Sequence, residues 1–139
     1  MIRYFTEDIR FDLKNKMQHR RWLTAVAARE GKRPGAISYI FCPDPYLLDI
    51  NRRYLGHDYY TDIITFDYCE GDVLAGDLFI SIDTVRENAV RYKSSFEDEL
   101  DRVMVHGLLH LIGYDDQTRE EQGIMRGKED AYLLLREAV

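Results

Sequence analysis

The segment from residue 105 to residue 116 constrains this chain most, because it places two histidines in an apolar helix that ends at a glycine. His106 and His110 are four residues apart, about one helical turn, so both imidazoles project from the same helix face. That spacing lets two imidazoles bind one tetrahedral metal ion. Gly113 favours a helix end, after which the chain can turn back toward the histidines.

A third metal ligand is expected just beyond this glycine, where Asp115 and Asp116 lie. Three protein ligands leave a fourth position open for water, which is what a catalytic metal site requires. The alternative is that the two histidines are hydrogen-bonded core residues and bind no metal. Buried imidazoles without partners are costly, and a metal would remove that cost.

Hydrophobic patterning elsewhere predicts one α+β domain over residues 1–139. Strands are expected at 2–5, 36–41, 63–66 and 78–82, and helices at 13–30, 45–54, 84–93, 94–112 and 118–137. We expect Asp83 or Thr84 to cap the third helix. Capping boxes that begin at Ser94 and Thr118 mark the starts of the last two.

Charge is distributed unevenly along the chain. The net charge is −6, which argues against a general polyanion binder, but residues 10–33 carry a local charge of +6. This basic segment is either a phosphate-binding face or a solvated helix face. No run of 18 apolar residues and no signal-peptide pattern appears, so a cytoplasmic protein without a membrane span is expected.

Three ordered motifs resemble those of the YbeY endoribonuclease family, a group of bacterial ribosomal-RNA maturation factors. Residues 106–115 read HGLLHLIGYD, where the family has H-G-x-x-H-L-x-G-Y-D-H. Residues 61–66 (TDIITF) and 76–81 (GDLFIS) are similar to its T-D-V-L-S-F and G-D-I-x-I-S. The resemblance implies a small mixed sheet, a zincin-like metal-site helix, one zinc ion, an RNA substrate and an association with the small ribosomal subunit.

The chain departs from this family pattern at two positions. Asp116 stands where the family usually has its third histidine ligand, so the expected metal ligands are His106, His110 and Asp116. A carboxylate can bind zinc, but two histidines and one carboxylate also suit other divalent metals. Leu55 stands where the family commonly has an arginine, and Arg52 or Arg53 is a candidate replacement.

The resulting hypothesis is a metal-dependent, single-strand-specific endoribonuclease in which metal-activated water attacks the phosphodiester. Asp62, Asp77, Asp115 and Arg53 are further catalytic candidates. Gly107 replaces the glutamate that metalloproteases need, which disfavours peptidase activity. Two alternatives stay open: a ribosome-associated binding module with a structural or vestigial metal site, and a hydrolase of smaller substrates.

Overall fold

The computed structural model describes residues 1–139 and contains a four-stranded mixed sheet and five α-helices. The strands are β1 (Ile2–Thr6), β2 (Arg33–Cys42), β3 (Ile63–Asp67) and β4 (Val73–Ser81). The helices are α1 (Lys16–Arg29), α2 (Asp44–Leu55), α3 (Ile82–Arg91), α4 (Phe96–Ile112) and α5 (Arg119–Leu135), followed by a 3₁₀ turn at Arg136–Ala138.

The sheet has the strand order β1-β2-β4-β3. Strand β2 pairs in parallel with both β1 and β4, whereas β3 pairs antiparallel with β4. The predicted α+β fold with a mixed sheet and about five helices is therefore confirmed. No helix of the chain is both long and apolar enough to cross a bilayer.

Several predicted element boundaries were wrong. Strand β4 begins at Val73 rather than at residue 78, because it lies between β2 and β3 and both neighbours supply hydrogen-bonding partners. The cap of α3 is Ser81, whose hydroxyl accepts a hydrogen bond from the Thr84 N–H, and the cap of α4 is Ser95 rather than Ser94. The capping box at Thr118 is present as predicted.

Helix α4 lies unusually close to the sheet at Gly107. A Cβ at that position would be 2.4 Å from Leu78 Cδ2 and 2.6 Å from Ile63 Cδ1. The glycine thus allows the helix to pack directly on β3 and β4, with Leu108 and Met104 in the main core. This packing leaves His106 and His110, on another side of the helix, partly exposed beside the start of β3.

Candidate metal centre

Three side chains converge at the C-terminal end of α4. His106 Nε2 is 3.0 Å from His110 Nε2, and Asp116 Oδ2 is 3.3 Å from the first nitrogen and 3.5 Å from the second. The structure therefore brings together the three residues that the sequence singled out. No other group of three or more His, Cys, Asp or Glu side chains in the chain has comparable geometry.

The triangle of donor atoms is close to the size that a tetrahedral ion requires. Ligand atoms about 2.0–2.2 Å from a tetrahedral centre are about 3.3–3.6 Å apart. The three atoms here are 3.0–3.5 Å apart, so the point in their plane that is equidistant from all three is about 1.9 Å from each. An ion with bonds of about 2.0–2.2 Å would therefore lie just above that plane. Two imidazole nitrogens and one carboxylate oxygen fit zinc and several other divalent metals.

The orientation of His106 is fixed by a buried carboxylate on α5. His106 Nδ1–H donates to Glu129 Oε2 at 2.6 Å, which leaves the Nε2 lone pair facing the other ligands. Arg102 Nη1 donates to the second Glu129 oxygen at 2.8 Å, so the 5%-exposed carboxylate has both oxygens paired. Burial disfavours a charged imidazole, but the hydrogen bond and charge of Glu129 outweigh it and raise the pKa of His106.

The turn that carries Asp116 is tied to two helices. Gly113 ends α4 at φ +124°, a conformation that side chains rarely adopt, and it reverses the chain. Tyr114 Oη then donates to Glu30 Oε1 at 2.6 Å, at the C-terminal end of α1. Gln122 Nε2 of α5 donates to the Asp116 carbonyl at 3.1 Å. These contacts hold the carboxylate of Asp116 next to the histidines.

The triad of His106, His110 and Asp116 lies in a polar cleft of about 430 Å³. Its walls come from the end of α2, the loop before β3, the start of β3 and the turn after α4. The lining residues are Asn51, Leu55, His57, Tyr59, Thr61, Asp62, Ile63, Ile64, Thr65, Asp67, His106, His110, Asp116 and Gln117. No lysine or arginine is among them.

Asp62 is the cleft residue best placed to hold a proton. It also lines a smaller cavity of about 220 Å³ behind His106, together with Glu99 and Glu129. Burial raises the pKa of Asp62, and the nearby His106 only partly opposes that effect. A carboxyl group with a raised pKa beside a metal site is suited to proton transfer.

The other predicted catalytic residues do not reach the cleft. Asp115 is exposed and does not line the cleft, although it is adjacent to Asp116. Arg53 is 69% exposed, forms an ion pair with Asp49 one turn earlier on α2, and is not among the residues that line the cleft. Asp77 does not line the cleft and alternates along β4 with core residues such as Leu78. The basic segment 10–33 contributes no lining residue either.

Sequence reasoning missed Glu129 and the pair formed by His57 and Tyr59. Glu129 is separated from His106 by 23 positions and lies in a helix with many charged residues, where a glutamate is normally solvent-exposed. Helical spacing from Met125 to Tyr132 is the signal that could have placed it on the buried face. His57 and Tyr59 precede the matched TDIITF motif but belong to no matched motif themselves.

Comparisons with known proteins find a family model, similar sequences and a similar solved structure, each of which matches nearly the whole chain. The family model described as "Endoribonuclease YbeY" matches residues 2–135. Proteins named Endoribonuclease YbeY from Bacteroides thetaiotaomicron and Phocaeicola vulgatus are 50% and 52% identical over 135 residues, which is 97% of this chain and 98% of each relative. The solution structure of TM1509 from Thermotoga maritima is similar with a TM-score of 0.69 and 27% identity, covering 98% of this chain and 89% of that one.

Proposed function

The chain belongs to the YbeY endoribonuclease family, and on that premise we propose that it is a metal-dependent, single-strand-specific endoribonuclease in small-subunit ribosomal RNA maturation and quality control. It acts as one domain spanning residues 1–139, with RNA and the small ribosomal subunit as its cytoplasmic partners. The observation that carries the proposal is the triangle formed by His106, His110 and Asp116, with sides of 3.0–3.5 Å.

Zinc is the metal proposed, held by His106 Nε2, His110 Nε2 and Asp116 Oδ2. When bound, such an ion supplies Lewis-acid polarisation of a phosphoryl oxygen and acidification of water. The carboxylate ligand lowers the net charge of the site relative to three histidines, so manganese or another divalent ion is the alternative occupant.

The protein's own contribution is orientation and proton transfer. Glu129 holds the His106 ring with Nε2 directed at the other ligands, because its carboxylate accepts the Nδ1 proton. Asp62 lines the cleft next to His106, and burial keeps the pKa of its carboxyl raised. We propose that the Asp62 carboxyl donates a proton to the leaving oxygen of the cleaved phosphodiester.

Cleavage of single-stranded RNA by the metal-loaded protein tests the proposal. We expect chelation to abolish cleavage, and His106→Ala, His110→Ala or Asp116→Ala to reduce it more than about 100-fold, beyond what losing a ligand's hydrogen-bond partner costs. Asp115→Ala is the matched control, since its exposed side chain is adjacent to Asp116 but outside the cleft. Undiminished cleavage by the histidine variants would overturn the proposal.

A second candidate is a ribosome-associated binding module whose metal is structural or vestigial. The cleft favours this alternative in one respect, since no lysine or arginine lines it to bind the phosphate of a substrate. This candidate predicts that metal removal unfolds the chain or has no effect, while no RNA is cut. Circular dichroism before and after chelation, with the cleavage assay on the same sample, separates the two functions.

A further inference from the structure

Two aromatic rings form an exposed stack on the wall of the metal cleft. The rings of His57 and Tyr59 have centroids 5.1 Å apart and planes inclined by 20°. Tyr59 is 56% exposed, His57 is also exposed, and both line the cleft that contains the metal triad. Each ring stacks on the other with one face, and their large exposed fractions leave ring surface free for a ligand.

This pair is held in place by hydrogen bonds, although it lies in a loop. Tyr59 Oη is 2.9 Å from His57 Nδ1. Asn51 of α2, only 2% exposed, accepts a hydrogen bond from the His57 backbone N–H at its carbonyl (3.1 Å) and donates through Nδ2 to the Tyr59 carbonyl (2.9 Å). The backbone carbonyl and the side-chain amide of this one buried residue fix the two backbone positions, and together with the hydrogen bond between the rings they give the exposed rings a defined orientation, which is what a binding surface needs.

The charges around the cleft determine which part of an RNA strand these rings can bind. Asp62, Asp67 and Asp116 line the cleft, and His57 is the only basic side chain there apart from the two metal ligands. Phosphate groups therefore meet few cations away from the metal. A nucleobase carries no charge and has a flat surface that stacks on aromatic rings with a gain that depends little on sequence.

We propose that the His57–Tyr59 pair is a base-stacking platform that binds one unpaired nucleobase of the RNA next to the metal centre. This inference rests on the proposed endoribonuclease function and adds the part of the substrate that is recognised. With Tyr59 Oη as donor, the His57 ring carries its proton on Nε2 and can donate it to an oxygen of the same nucleotide. A base-paired strand cannot present an unstacked base, so the platform also gives a reason for single-strand specificity.

The test is binding of a single-stranded RNA 10-mer that carries one 2-aminopurine, whose fluorescence is quenched by stacking. Binding is measured with the full-length protein in EDTA, so that no strand is cut. We expect Tyr59→Leu to weaken binding about 5- to 150-fold, the range that loss of one stacked base gives, and to reduce the quenching. Tyr59→Phe should bind nearly as well as wild type, since it retains the ring.

Tyr60→Leu is the matched control. Tyr60 follows Tyr59 in the same loop and is 62% exposed, but it does not line the cleft, so its loss should leave binding unchanged. A second 10-mer that is abasic at every position has no base to stack and should bind wild type and Tyr59→Leu equally.

The platform is refuted if Tyr59→Leu binds and quenches like wild type, if Tyr60→Leu has the same effect as Tyr59→Leu, or if wild type does not bind the strand. The endoribonuclease proposal fails separately, when the metal-loaded wild type binds RNA but does not cut it.

Discussion

Replacing Glu129 by glutamine tests how strongly the protein prepares His106 to bind a metal. The carboxylate accepts a hydrogen bond from His106 Nδ1 at 2.6 Å and another from Arg102 Nη1 at 2.8 Å. A glutamine can keep only one of these. If its NH₂ group faces Arg102, two donors oppose each other; if it faces His106, the ring must carry its proton on Nε2, the atom that would bind the metal.

We expect Glu129→Gln to weaken zinc binding about 10- to 100-fold, or about 1.4–2.8 kcal/mol, as found when the hydrogen-bond partner of a histidine ligand is lost. Competition between the protein and a chromophoric chelator of known affinity measures this change. Asp130→Asn is the control, because Asp130 also accepts a hydrogen bond from Arg102 (2.6 Å) but is 58% exposed and does not contact His106. Zinc affinity within twofold of wild type in Glu129→Gln would refute the reasoning.

Three further outcomes are expected. Gly107→Ala should lower the free energy of unfolding by about 1–3 kcal/mol, because its Cβ would lie 2.4 Å from Leu78 Cδ2; an unchanged midpoint in urea would contradict the close packing. Burial opposes protonation of His19, but its hydrogen bond to Asp101 at 2.7 Å outweighs this and raises the pKa of His19. The stabilising contribution of protonated His19 is therefore complete below about pH 6.5, the pKa of histidine in the unfolded chain, and is lost as pH rises through the folded pKa. His19→Gln should therefore lower the free energy of unfolding more at pH 5.5 than at pH 8.5. An equal loss of unfolding free energy at both pH values would disprove this prediction. Asp62→Asn should lower kcat for RNA about 10²- to 10⁴-fold while zinc affinity is retained, whereas a normal kcat would exclude Asp62 as the proton donor.

The convergence of His106, His110 and Asp116 could be predicted from sequence because the three lie within eleven consecutive residues. Helical periodicity places His106 and His110 on one face, and a glycine stop brings the chain back at Asp116. Helical periodicity and the glycine stop depend only on neighbouring residues, so they apply to a contiguous segment independently of the rest of the fold. For the same reason the capping box at Thr118 was predicted correctly.

Features that depend on distant contacts were not predictable in this way. The early residues of β4 include Ala75 and Gly76, which are poor strand formers, and they become strand only because β2 and β3 flank them. Glu129 is buried because α5 packs against α4, and although its spacing from Met125 and Tyr132 places it on the buried face, no local pattern identifies His106 as its partner. Arg52 and Arg53 are both candidates for the role of the family arginine, and local sequence does not show that Arg53 forms an ion pair with Asp49.

The carboxylate of Glu30 has a consequence for how the metal centre assembles. It accepts hydrogen bonds from Tyr114, Lys128 and Tyr132, which are 84, 98 and 102 positions further along the chain. Contacts of such long sequence separation close late, because the loop entropy must first be overcome. The loop that carries Asp116 can therefore become rigid only after the C-terminal end of α1 has docked against α5. We expect the triad of His106, His110 and Asp116 to be among the last parts of the molecule to reach its final geometry during folding.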